Sequence, residues 1–142
     1  MLNLEKVMSR DVVTVNQNTE IYEALRMMVD GNITGLPVLN DDGRLVGIVT
    51  EKDVMSRMLK THSTQGKAAD YMTTEVISFT VNDNLLDVIS ALANNNFRRV
   101  PIVSEEKLVG IISRSDIISY LFSLELKDRG VIATAVKGRV FV

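Results

Sequence analysis

Apolar positions along this chain follow two rhythms, and the two alternate in the same order twice. Ile21, Ala24, Leu25 and Met28 recur at i, i+3, i+4 and i+7, the spacing that collects side chains on one face of an α-helix. Leu85, Val88, Ile89 and Leu92 repeat it. After each amphipathic stretch come two apolar runs joined by a polar turn, Leu36 to Leu39 with Leu45 to Thr50, then Val100 to Val103 with Leu108 to Ser113. Each pair predicts a β-hairpin. A short β-rich stretch precedes each helix, Val12 to Val15 and Val76 to Phe79. A further helix is expected from about Glu51 and from about Arg114. Its buried positions are predicted as Val54, Met55, Met58 and Leu59 in one copy and Ile117, Ile118, Leu121 and Phe122 in the other.

The order is therefore β-α-β-β-α, twice. Met8 to Val54 lies over Met72 to Ile117 with one residue deleted, where the turn Asn40-Asp41-Asp42-Gly43 meets the shorter Ser104-Glu105-Glu106. Thr19 and Asp83 are the expected N-caps of the first helix of each copy, and Gly31-Asn32 and Asn94-Asn95-Asn96 carry C-terminal signals. Pro37 and Pro101 are expected to begin strands or to lie on edges, because proline has no N–H for a ladder. One such unit is marginal by itself, so the two are expected to pack together with pseudo-two-fold symmetry. The organisation predicted is a first repeat over 1–61, a polar linker over 62–67, a second repeat over 68–126 and a tail over 127–142. The fold class is α/β, of the mixed α+β kind.

Composition narrows the chemistry. Of 142 residues 46% are hydrophobic, enough for a real core, and the formal net charge of -2 offers no broad positive field for nucleic acid. There is no cysteine and a single histidine, His62 in the linker, so disulfides, a thiolate metal site and any Ser/His/Asp or Cys/His constellation fitted to a cleft are excluded. No phosphate-binding G-x-x-x-x-G-K-[ST] loop is present. The seven methionines fall mainly at core-like helix positions and call for no cofactor. No apolar run reaches membrane-spanning length, and the expected setting is cytoplasmic, without membrane or nucleic-acid partners.

The repeated elements Leu36-Pro37-Val38 and Val100-Pro101-Ile102, followed by Gly47-Ile48-Val49-Thr50-Glu51-Lys52-Asp53 and Gly110-Ile111-Ile112-Ser113-Arg114-Ser115-Asp116, resemble a known family, the CBS domain. That family occurs in tandem in the regulatory parts of inosine monophosphate dehydrogenase, chloride channels and the AMP-activated protein kinase. The resemblance covers about Leu4 to Phe122. It implies a non-catalytic regulatory module that senses AMP, ADP or ATP, or S-adenosylmethionine or a cyclic dinucleotide, between its repeats. It also implies a homodimer that reports to an effector protein or domain.

The residues give that expectation a chemistry. Thr50-x-x-Asp53 and Ser113-x-x-Asp116 sit where a strand turns into a helix, so hydroxyl and free backbone N–H groups suit a phosphate, and the aspartate one turn on suits the diol of a ribose. The competing reading is a helix capping box that binds nothing. Arg98 and Arg99 precede the strand at Val100 and carry the planar fork that grips phosphate; Thr34 and Gly35 stand there in the first repeat. Lys52 and Ser115 are either phosphate contacts or ordinary first-turn residues. In the family an adenine slot comes from the start of the other repeat. The resemblance thus implies two composite sites: Met8, Asp11, Val13, Ile33, Thr34, Arg98, Arg99, Ile111, Ser113, Ser115 and Asp116 in one, and Met72, Glu75, Ile77, Phe97, Ile48, Thr50, Lys52 and Asp53 in the other. The alternative is a docking module whose clefts stay empty.

Overall fold

The computed structural model describes residues 3–128. The predicted tail lies outside them except for Lys127 and Asp128, which close the last helix. The first repeat contains β1 (Val15–Asn16), α1 (Ile21–Gly31), β2 (Gly35–Leu39), β3 (Leu45–Thr50) and α2 (Glu51–Thr61). A four-residue helix, α3 (Ala68–Tyr71), then leads to β4 (Phe79–Thr80), α4 (Leu85–Asn94), β5 (Arg99–Ser104), β6 (Lys107–Ser113) and α5 (Arg114–Asp128). Each repeat holds a three-stranded sheet, β1-β2-β3 or β4-β5-β6, with the first pair parallel and the second antiparallel. The expected β-α-β-β-α order is present twice in a mixed α/β fold.

The repeats exchange their leading segments. A 3-10 turn at Leu4–Lys6 buries Leu4, Val7 and Met8 in the core built around Val88, Leu92, Val100, Ile102 and Ile112 of the second repeat. In mirror fashion Ala68 and Tyr71 of α3 join Ile21, Ala24, Met28, Leu36, Val38 and Val49 of the first. Ser9 then pairs with Ile111 on β6, through N–H···O bonds of 2.8 and 2.9 Å, and Thr73 pairs with Ile48 on β3 at 2.8 and 2.9 Å. Between the hairpins, Arg44 bridges Lys107 and forms an ion pair with Glu106 at 3.0 Å. These contacts give the expected pseudo-two-fold relation.

The exchange explains why the first strands are short. Val12 to Thr14 and Val76 to Ser78 are spent crossing between repeats, and only Val15–Asn16 and Phe79–Thr80 remain to pair with the neighbouring strand. It also accommodates the prolines, which the structure moves from the expected edge or first position to the interior of the middle strands β2 and β5. Pro37 faces Ile48 and Pro101 faces Ile111, residues whose own N–H and C=O groups turn outward to Thr73 and Ser9. No ladder donor is required of proline at such a pair.

The helix starts fall one residue beyond the expected caps. Glu20 and Asn84 are the N-caps. Thr19 and Asp83 turn back to accept the N–H of Asn16 at 3.1 Å and of Thr80 at 2.7 Å, the local bonding that such side chains offer before a helix. A larger correction concerns α2 and α5. Of the eight positions predicted buried, only Ile117 is; Val54 is half-buried, and Met55, Met58, Leu59, Ile118, Leu121 and Phe122 are exposed. These helices lay one side against the sheets and turn a second apolar side outward.

Candidate functional site

A cavity of about 380 Å³ opens between the repeats. The first repeat supplies Thr34 to Pro37 from the start of β2, Ile48 from β3, and Thr50, Glu51 and Lys52 at the head of α2. The second supplies Asn96 to Arg99, Pro101 and Ile111. Each strand-to-helix junction is tied down alike: the carbonyl of Thr34 accepts the N–H of Glu51 at 3.1 Å, and that of Arg98 accepts the N–H of Arg114 at 2.9 Å. Apolar walls and a few convergent polar groups are the usual make-up of a small-molecule pocket.

Arg98, Arg99 and Lys52 put three cations on this cavity, and none of them is in an ion pair among the described residues. The Nε of Arg99 is buried with no hydrogen-bond partner. An unsatisfied buried donor on a charged group costs roughly 1–3 kcal/mol or more, which an anionic ligand would offset.

Thr34, Ile48, Thr50, Lys52, Phe97, Arg98, Arg99 and Ile111 line the cavity. The sequence reading divides them between two sites, Thr34, Arg98, Arg99 and Ile111 with Asp116, and Ile48, Thr50, Lys52 and Phe97 with Asp53. The structure instead brings both sets onto one cavity that neither aspartate lines. Met8 packs on Gly110 and Met72 on Gly47, and neither lines this cavity. Asp53 and Met72 instead line a smaller cavity of about 220 Å³ with Arg57, Lys60, Tyr71 and Thr73. Asp11, Val13, Ile33, Glu75, Ile77, Ser113, Ser115 and Asp116 line neither. Val13 and Ile77 are exposed on the crossing segments at matching positions. Leu36, Pro37, Asn96 and Pro101 were not anticipated as lining residues. The duplicated Leu-Pro-Val and Val-Pro-Ile elements were the available signal, but they read first as strand punctuation.

The Ser/Thr-x-x-Asp elements do form caps. Thr50 and Asp53 make a reciprocal capping box, with Asp53 N–H donating to Thr50 Oγ1 at 3.2 Å and Thr50 N–H donating to Asp53 Oδ2 at 2.9 Å. Ser113 and Asp116 do the same at 3.1 and 2.8 Å. His62 closes α2 in the left-handed conformation and is exposed. Among the described residues no group of three or more His, Cys, Asp or Glu gathers to hold a metal ion. No helix among them is long and apolar enough to cross a membrane.

The sequence profile of the CBS domain matches twice, at residues 4–60 and 68–123. The CBS domain-containing protein YhcV of Bacillus subtilis is 32% identical over 118 residues, covering 82% of this chain and 84% of YhcV. The uncharacterized protein MJ1225 of Methanocaldococcus jannaschii is 37% identical over 120 residues, 84% of this chain but 43% of that protein. The chain thus spans less than half the length of MJ1225, and about a third of the next two relatives. The match to inosine-5'-monophosphate dehydrogenase of the same archaeon, 34% identical, covers 80% of this chain and 22% of the enzyme. Among solved structures, CBSX2 in complex with AMP superposes with a TM-score of 0.78 at 25% identity, covering 88% of this chain and 99% of that one. The CBS domain pair of MJ0100, in complex with 5'-methylthioadenosine and S-adenosyl-L-methionine, superposes at 0.71 with 28% identity over 88% of this chain and 98% of that one. Two profile matches, a relative covered over most of its length and the interlocked β-α-β-β-α repeats agree: the chain belongs to the CBS domain family as a tandem pair.

Proposed function

We propose that this pair is a non-catalytic regulatory module that binds an adenosine-containing ligand between its repeats, with AMP, ADP or ATP ahead of S-adenosylmethionine or a cyclic dinucleotide. The observation that carries this reading is the inter-repeat cavity with Arg98, Arg99 and Lys52 on its walls and an unpartnered guanidinium nitrogen buried beside it. Phosphate would be held by the arginine fork and by the amides at a helix start, and the ribose diol by an aspartate at the third helical position, Asp53 on the neighbouring smaller cavity or its mirror Asp116. The complexes of CBSX2 with AMP and of MJ0100 with two adenosine compounds support the same ligand class. Lys52, Arg98 and Arg99 around the cavity suit holding an anion, and the lining residues supply no nucleophile paired with a general base.

The exposed apolar sides of α2 and α5 support a homodimer as the form in which the module works. A ligand that binds one arrangement of two stacked pairs more tightly than another shifts the population between them, which is how a binding event would reach an effector protein or domain. Calorimetric titration with AMP, ADP, ATP, S-adenosylmethionine and cyclic di-AMP tests the reading. Saturable binding by at least one of them is expected, and silence from all would leave the docking-module reading in its place.

A further inference from the structure

The two Ser/Thr-x-x-Asp elements have the same backbone but differ in how far their carboxylates are already engaged. Asp53 Oδ2 accepts both the N–H and the hydroxyl of Thr50, at 2.9 and 2.8 Å, while Oδ1 accepts the hydroxyl of Thr73 at 2.8 Å. Asp116 Oδ2 accepts only the N–H of Ser113 at 2.8 Å. The Ser113 hydroxyl is turned to Ser115 at 2.9 Å instead, and Asp116 Oδ1 has no partner among the described residues. A carboxylate offers about four lone-pair sites, so three are filled on Asp53 and one on Asp116. A vicinal diol needs two.

The residue matching Thr73 in the exchange is Ser9. Its backbone pairs with Ile111 as that of Thr73 pairs with Ile48, yet its hydroxyl makes no hydrogen bond among the described residues. Threonine is stiff at χ1, which holds its hydroxyl on Asp53, while serine at the mirror position is free to rotate.

We infer that Thr73 is a latch on the first-repeat cleft: its hydroxyl occupies the carboxylate oxygen that a ribose would need, so the module takes its adenosine ligand first and more tightly on Asp116. The inference rests on the proposed function and says which cleft fills. Displacing a hydrogen bond to a charged group sets the first-repeat cleft back by about tenfold to a hundredfold in affinity. The bond joins exposed side chains, and the backbone pairing of Thr73 with Ile48 does not depend on it, so Thr73→Ala retains the fold.

The test is calorimetric titration of the full chain with AMP. The wild type is expected to show one tight event, abolished by Asp116→Ala, and one weaker event, abolished by Asp53→Ala. Thr73→Ala is expected to tighten the weak event by about tenfold or more and leave the tight one in place, and the mirror variant Ser9→Ala to change neither. Two equal events in the wild type, or a weak event indifferent to Thr73→Ala, would overturn the latch while leaving nucleotide binding intact. No binding of AMP by any variant, with the same silence toward ADP, ATP, S-adenosylmethionine and cyclic di-AMP, would overturn both.

Discussion

A Cβ built on Gly110 stands 2.6 Å from the sulfur of Met8 and 3.0 Å from the carbonyl oxygen of Ser9; one on Gly47 stands 2.6 Å from the sulfur of Met72 and 2.9 Å from the carbonyl oxygen of Thr73. The thioether can swing aside, but each carbonyl is fixed by the N–H it accepts from Ile111 or Ile48 at 2.9 Å. Gly110→Ala is therefore expected to destabilise the fold by about 1–3 kcal/mol, read as a melting temperature lower by several degrees in circular dichroism. An unchanged melt would show that the exchanged segment is not packed on β6. At the same scale, Arg98→Ala is expected to weaken nucleotide binding about tenfold with little effect on the melt, because Arg98 is exposed and makes no ion pair among the described residues. Single residues show where reading the sequence stops. Met8 and Met72 were legible as partners of the opposite repeat only through the family resemblance, since no spacing states that a segment crosses over. Thr19 and Asp83 have the chemistry of caps, yet each spends it one residue early on a turn N–H.

Among the elements, α2 and α5 carry the largest departure from the sequence pattern. The periodic apolar side of α2 was legible, but periodicity marks a face that wants cover and does not say whether the cover is the chain's own sheet or another molecule. Leu59 is 75% exposed and Ile118 65%, while Ile117 of the same stretch is buried. Leu59→Glu together with Leu121→Glu is expected to convert the protein to a monomer in sedimentation velocity without lowering its melting temperature by more than a few degrees, since neither side chain is in the core. A wild type already monomeric at high concentration would contradict the homodimer. The hairpins, by contrast, were almost wholly legible. Gly35–Leu39 with Leu45–Thr50 departs from the sequence reading by one residue, because two β-rich runs around a polar turn leave the chain few other choices.

For the whole molecule, the duplicated pattern was enough to read two repeats and their packing, because a small sheet with an uncovered face needs a partner and the second copy supplies it. The exchange of leading segments was legible only through the family resemblance, and it changes the energetics. Leu4 is fully buried in the core of the second repeat, and Ala68 in that of the first, so neither repeat is complete alone. Leu4→Ala is expected to cost about 2–5 kcal/mol. By differential scanning calorimetry it is expected to lower one cooperative transition as a unit, whereas two separated transitions would show that the repeats unfold independently. The central claim, that the cleft between these repeats binds an adenosine nucleotide, is tested most directly by titrating the purified chain with AMP beside its Asp116→Ala variant. Saturable binding by the wild type whose tight event the variant loses is the predicted result; equal binding by both, or none by the wild type to AMP or any other adenosine compound, would contradict it.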